Sequence, residues 1–280
     1  MKKLLAVFLV AGSFLVFNSH IAYCDSSSYS ELNMLWNQFT IQGGTLGVDY
    51  EIRWTYYGAH SESGANDNSL YDPQTHSSFD PNIPVTTTST VGASNGLAYV
   101  SKDISTSKAT ANAYGINTTF NSWANGNAHF RWDLTILNDV TLTFSVPFTY
   151  THILSAQFAD EGASAYSSPI FYADEYIFIP GEPPQFFRAG EDWEGIGHSL
   201  NGIGNNTYTG GDTLTFTANF YNEGDGHSGW YWFEGHGHDV ASAYSNHIGT
   251  APVPEPATML LLGSGLIGLA GYGRKKFFKK

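Results

Sequence analysis

Across residues 140–151 apolar and polar positions alternate strictly. Val140, Leu142, Phe144, Val146, Phe148 and Tyr150 fall on one side; Thr141, Thr143, Ser145, Pro147, Thr149 and Thr151 fall on the other. Successive side chains of a strand point to opposite faces, so this stretch predicts a strand with one buried face. Residues 128–137 alternate in the same way, with Ala128, Phe130, Trp132, Leu134 and Ile136 together. Between the two runs, Asn138-Asp139 tolerates positive φ and predicts a tight hairpin turn. Pro147 has no amide hydrogen, which predicts an edge position or a bulge in the second strand.

Weaker alternation marks strands over residues 46–57, 97–104, 170–179, 213–221 and 230–233, and over the alanine-rich stretch 109–120. Residues 30–39 fit a short helix or an opening strand. The clusters SESGANDNS, DPNIP, PGEPP, NGIGNN and NEGDGHSG supply turns. The chain is rich in Thr, Ser, Gly, Asn and aromatic residues, which disfavours helices. Many short strands separated by turns predict an all-β body over residues 25–249: a single β-sandwich, jelly-roll-like in plan.

The two ends differ from this body. Lys2 and Lys3 precede an apolar run over residues 4–17, the layout of a secretory signal peptide. Ala22 and Cys24 fit its small positions, which places residues 1–24 in the signal and Asp25 at the start of the mature chain. Acylation of Cys24 is the competing reading. Cys24 is the only cysteine, so no intramolecular disulfide forms. At the other end, residues 257–273 carry no charge and would span about 25 Å as a helix at ~1.5 Å per residue. That approaches the ~30 Å hydrocarbon core of a bilayer. Arg274, Lys275 and Lys276 open a basic end over residues 274–280 that would stay cytoplasmic and leave the body outside.

Val253-Pro254-Glu255-Pro256, the Leu/Gly-rich span and the basic end together resemble the PEP-CTERM sorting signal of Gram-negative bacteria. The resemblance implies export, transient anchoring in the inner membrane with the body periplasmic, and processing by an exosortase. It also implies a place at the cell surface or outside the cell, in exopolysaccharide and biofilm. Pro254, Glu255 and Pro256 would be the recognition element, on a linker over residues 250–256.

With both ends removed the charge changes. Residues 25–252 keep five basic residues (Arg53, Lys102, Lys108, Arg131, Arg188) against twenty-four acids, a net charge near −19. Such a body repels nucleic acid and anionic lipid. The acidity first serves solubility outside the cell and calls for no cofactor; calcium is the alternative, through the acidic pairs Asp174-Glu175, Asp192/Glu194 and Glu223/Asp225, although none forms an EF-hand loop. In EGHGHDV, His236 and His238 would share a face on a strand but lack a third defined metal ligand, and the flanking glycines predict a polar turn. GEDWEGIGH sets two carboxylates around Trp193, the raw material of a glycoside hydrolase. No nucleophile elbow, phosphate loop or catalytic cysteine arrangement is present. GWYWF places aromatics on both faces of a strand, which makes Trp230 and Trp232 candidates for stacking on sugar rings.

The sequence therefore predicts a non-enzymatic, exosortase-sorted matrix protein associated with exopolysaccharide. A lectin-like module using Trp230 and Trp232 is the second expectation. An enzyme acting on polysaccharide through Asp192 and Glu194 is the third.

Overall fold

The computed structural model describes residues 26–66, 70–80, 83–91, 94–114, 117–177, 183, 185–221 and 230–246, with backbone alone at 52–57, 129–133, 176–177 and 230. In chain order the strands are β1 (Ser26–Met34), β2 (Thr40–Gln42), β3 (Tyr50–Asn66), β4 (Tyr71–Ser78), β5 (Val85–Val91), β6 (Ser94–Val100) and β7 (Ser105–Ala113). They continue as β8 (Thr118–Ile136), β9 (Val140–Ala156), β10 (Glu161–Ile177), β11 (Gln185–Trp193), β12 (Ile196–Asn201), β13 (Gly204–Phe220) and β14 (Trp230–Ser245). A 3-10 turn, Trp36–Gln38, links β1 to β2. These elements form one compact unit, distinct from residues 248–280. The predicted signal, linker, apolar span and basic end lie outside the described residues.

Two seven-stranded antiparallel sheets make the sandwich. The front sheet runs β13-β9-β1-β7-β6-β5 with β2 beside β9; the back sheet runs β11-β10-β14-β8-β3-β4 with β12 beside β10. The alternation predicted for β9 holds: Val140, Leu142, Phe144, Val146 and Phe148 are buried. The predicted hairpin does not form. β8 belongs to the back sheet and β9 to the front, so Asn138-Asp139 carries the chain from one sheet to the other. Each strand needs its apolar face covered, and facing strands of opposite sheets cover one another as well as a hairpin packed on a third layer does. The corner is held from β3's approach, where the Leu137 amide donates to the Asp49 carbonyl (2.8 Å) and Asn138 Nδ2 to the Val48 carbonyl (2.9 Å).

Pro147 sits at neither an edge nor a bulge. β9 is interior, flanked by β13 on one side and by β1 and β2 on the other. β1 ends opposite Phe148 and β2 begins opposite Ser145, leaving a gap at Pro147. The Leu35 amide donates to the Pro147 carbonyl there (2.9 Å). A strand residue's N–H and C=O point the same way, so the missing donor faces this gap and breaks no ladder bond.

Three more sequence expectations change. The stretch 109–120 is two strands, β7 and β8, turned at Asn117 (φ 54°) into opposite sheets. SESGAN continues β3 rather than forming a turn. EGHGHDV lies within β14, where Gly235 faces inward and a Cβ would come within 1.8 Å of the Trp36 indole. The glycine there makes room for an aromatic ring; it does not signal a loop.

Inside, the sandwich has two unlike halves. At one, Phe144, Phe171, Phe216, Phe220, Tyr231 and Phe233 pack with Leu32, Met34 and Trp36. At the other, Ala109, Ala111, Ala113, Ala241 and Ala243 meet beneath Phe120. In this second half serines bond across the gap: Ser26 Oγ donates to the Tyr244 carbonyl (2.8 Å), Ser28 Oγ to Ser164 (2.5 Å) and Ser122 Oγ to Thr110 (2.7 Å). A serine side chain is only one carbon and one oxygen long. Direct bonds of this kind require sheets closer than the ordinary ~10 Å.

Candidate functional site

Alternation leaves every second residue of the back sheet on its outer face, and register then decides which of them meet. One row crosses six strands: Trp193 of β11 is opposite Ile170 of β10, then come His236 of β14, Asn127 of β8, His60 of β3 and Ser77 of β4. At ~4.8 Å per strand this row is about 24 Å long. The next row carries Ser168, His238, Asn125, Glu62 and Thr75. On the other flank lie Glu191, Tyr172 and Glu234, then Arg188, Asp174 and Trp232.

The side chains in these rows order one another. His236 Nδ1 donates to Asn127 Oδ1 (2.6 Å), and its Nε2 lies 2.5 Å from Glu234 Oε1 and 3.2 Å from the Tyr172 hydroxyl. The Tyr172 ring stacks on His236 with centroids 5.6 Å apart. The Arg188 guanidinium lies 3.7 Å above the Tyr172 ring, held by Asp174 and Glu191 at 2.5 Å each. His60 contacts Ser77 Oγ through Nδ1 (2.6 Å) and Glu62 through Nε2 (3.0 Å). Burial raises the Tyr172 hydroxyl above its ordinary value, and bonding to Glu234 raises it further, so it stays protonated. Burial also lowers His238; Glu62 opposes that shift and His236 adds to it. The face therefore sets hydroxyl, amide and imidazole groups, together with the carboxylates of Glu62, Asp174, Glu191 and Glu234, beside aromatic rings. Trp193 at the end of the first row is 62% exposed, and Tyr166 and Tyr244 are exposed on the same face.

Of the sequence candidates, Trp232 reaches this face and is half-buried there. Trp230 lies at the start of β14, and its side chain is outside the described residues. His236 and His238 share the face, as strand spacing predicts, while Asp239 points into the sandwich and is fully buried. Three acids of the predicted pairs have structural partners. Asp174 holds Arg188, Glu175 accepts from the Tyr231 hydroxyl (3.3 Å), and Asp192 caps the amides of Trp193 (2.9 Å) and Thr215 (2.7 Å). Glu223, Asp225, Pro254, Glu255, Pro256, Arg274, Lys275 and Lys276 lie outside the described residues. Among the described residues no three His, Cys, Asp or Glu side chains converge on a common point for a metal, and no helix is long and apolar enough to cross a membrane. Tyr172, Asn127, His60 and Arg188 escaped the sequence reading. Their only signal is strand parity, which is silent until the strand order is known.

The described body is thus an all-β protein of two packed sheets presenting one broad polar and aromatic face. Over residues 252–275 the chain matches the PEP-CTERM protein-sorting motif, which implies export and handling by an exosortase. No curated protein matches the chain. Among solved structures, the CBM22-1-CBM22-2 tandem domain of Xyn10C from Paenibacillus barcinonensis aligns at 7% identity and TM-score 0.15, covering 80% of this chain and 79% of that one. The vicilin of Solanum melongena aligns at 6% identity and TM-score 0.11, covering 80% and 75%. At such scores neither likeness describes this fold.

Proposed function

We propose that the protein is an exported, non-enzymatic component of the extracellular matrix that associates with exopolysaccharide along the outer face of the back sheet. Exosortase would recognise Pro254, Glu255 and Pro256, with the signal over residues 1–24 directing export. The apolar span 257–273 would tether the body to the inner membrane until processing, with Arg274, Lys275 and Lys276 inside. The row from Trp193 to Ser77 carries the binding reading. It offers the exposed Trp193 ring for stacking on a sugar face and its His and Asn groups, with Tyr172 in the adjoining row, for hydroxyls, over a length that suits an extended polymer. The net charge near −19 on residues 25–252 favours a neutral or cationic glycan over a polyanion.

Pull-down of the purified body with exopolysaccharide tests the face. Trp193→Ala and Trp232→Ala should each weaken binding about ten-fold, which is ~1.4 kcal/mol. Undiminished binding in both variants would move the site elsewhere. For sorting, a chain truncated before Val253 should fail to reach the surface at normal abundance; normal arrival would overturn that part.

A further inference from the structure

Between the two halves of the interior lies a line of polar groups that the outer face does not use. Asp239 of β14 is fully buried; Ser167 of β10, its register partner, donates to Asp239 Oδ1 (2.5 Å), as does Ser30 of β1. Asp239 Oδ2 is buried without a hydrogen bond. Ser167 Oγ also lies 2.8 Å from Nε2 of His152, a fully buried residue of β9. His152 Nδ1 is 2.8 Å from Nδ1 of His198 on β12. His198 is half-exposed at the sandwich edge, stacked on Tyr208 of β13 with centroids 3.8 Å apart.

We propose that Asp239 is a proton-binding site sealed between the sheets, and that His198, His152 and Ser167 form the relay connecting it to solvent. Four consecutive groups, each able both to donate and to accept, run from the edge to the carboxyl without a gap. With Asp239 ionised, His198 Nδ1–H donates to His152 Nδ1, His152 Nε2–H to Ser167, and the Ser167 hydroxyl to Asp239. A proton arriving at His198 Nε2 drives each of these hydrogens one place inward. His198 then keeps the new proton on Nε2, His152 holds its hydrogen on Nδ1, Ser167 donates to His152 Nε2, and Asp239 becomes a neutral carboxylic acid. One proton enters, one carboxylate is neutralised, and no ring gains a net charge.

The surroundings favour this exchange. Burial chiefly raises the Asp239 carboxyl, to about 7, against the hydrogen bonds from Ser167 and Ser30 and the pull of the nearby Leu32 amide. Glu31, on the outer side of β1 where Lys108 holds it at 3.1 Å, raises it further by repulsion. From β8 the facing register partner is Ala124, which has no charge to offer. Burial lowers His152 to about 4, and repulsion from His198 adds to this, so the ring conducts the proton without retaining it.

Nitrogen-15 and carbon-13 NMR of the intact body across pH 5 to 9 tests the relay. As the Asp239 carboxyl titrates near pH 7, the His152 ring should stay neutral while its hydrogen moves from Nε2 to Nδ1, exchanging the two nitrogen shifts. In Ser167→Ala the Asp239 carboxyl should still titrate at equilibrium, because burial and the bond from Ser30 remain, while the His152 exchange disappears. A His152 tautomer that does not change while Asp239 titrates in the wild-type protein would overturn the relay, and this reading needs no variant to fold. An Asp239 carboxyl that stays ionised down to pH 5 would overturn the site itself.

Discussion

The two halves of the interior obey one pattern with different side chains. β1 supplies Ser26, Ser28 and Ser30 to one half and Leu32 and Met34 to the other; β14 supplies Tyr231 and Phe233, then Ala241 and Ala243. In the aromatic half Phe144 and Phe233 meet across the gap with centroids 4.8 Å apart, and Phe171 and Phe216 at 5.1 Å. Cohesion there comes from apolar area removed from water. The alanine half buries little area per residue and draws the sheets together until hydroxyl meets carbonyl. At Gly96 a Cβ would come within 2.1 Å of the Trp123 carbonyl of the facing sheet. Side-chain volume sets the distance between sheets, and that distance decides whether packing or hydrogen bonding holds them.

This contrast can be broken from either side. Phe144→Ala should cost the most, roughly 3–5 kcal/mol in denaturant unfolding, because facing rings cannot collapse onto the cavity. A loss under about 1 kcal/mol would show that the aromatic half is not close-packed.

Next comes the polar seam. Between about pH 4 and 7 the folded pair holds one proton, on Asp239, while the unfolded pair holds one on its histidine. Equal proton counts make the pair's net contribution to stability flat across that window. Removing either member should expose the other. In Asp239→Asn, the lowered His152 contributes stability present above about pH 6.5 and lost as pH falls through about 4. In His152→Gln, the raised Asp239 contributes stability present below about pH 3.9 and lost as pH rises through about 7. Each slope should amount to a change on the order of 3 kcal/mol across the window relative to the wild-type curve. Parallel curves for all three proteins would dissolve the pairing.

In the alanine half the sensitive direction reverses. Ala111→Leu should cost roughly 1–3 kcal/mol, since sheets tied by serine bonds cannot part for the added volume. A neutral effect on thermal unfolding would reveal slack between them. Smallest is Ser28→Ala, about 1 kcal/mol for the lost bond to the Ser164 carbonyl. A stabilised variant would mean that the serines fill space without tying the sheets.

Parity was legible because it is local. The inward residues of β9 and the shared face of His236 and His238 follow from counting by two. Partnership was not legible, because hydrogen bonds join strands far apart in the chain. Tyr172 and Asn127 reach His236 from 64 and 109 residues away. The glycines of EGHGHDV imitate a loop in sequence because nothing local discloses that Trp36 needs the space over Gly235. Asn138-Asp139 imitates a hairpin because the same turn residues serve a crossing between sheets.

An all-β body, the faces of its strongest strands, its acidity and its sorting tail follow from composition and short-range order alone. Tertiary structure decided which strands pair, where the sheets draw close, and that Ser30, Ser167, Asp239 and His152 meet in one sealed line. Strand pairing spends uniform backbone hydrogen bonds that any register could satisfy. Only the fit of side-chain volumes between two whole sheets selects among the alternatives.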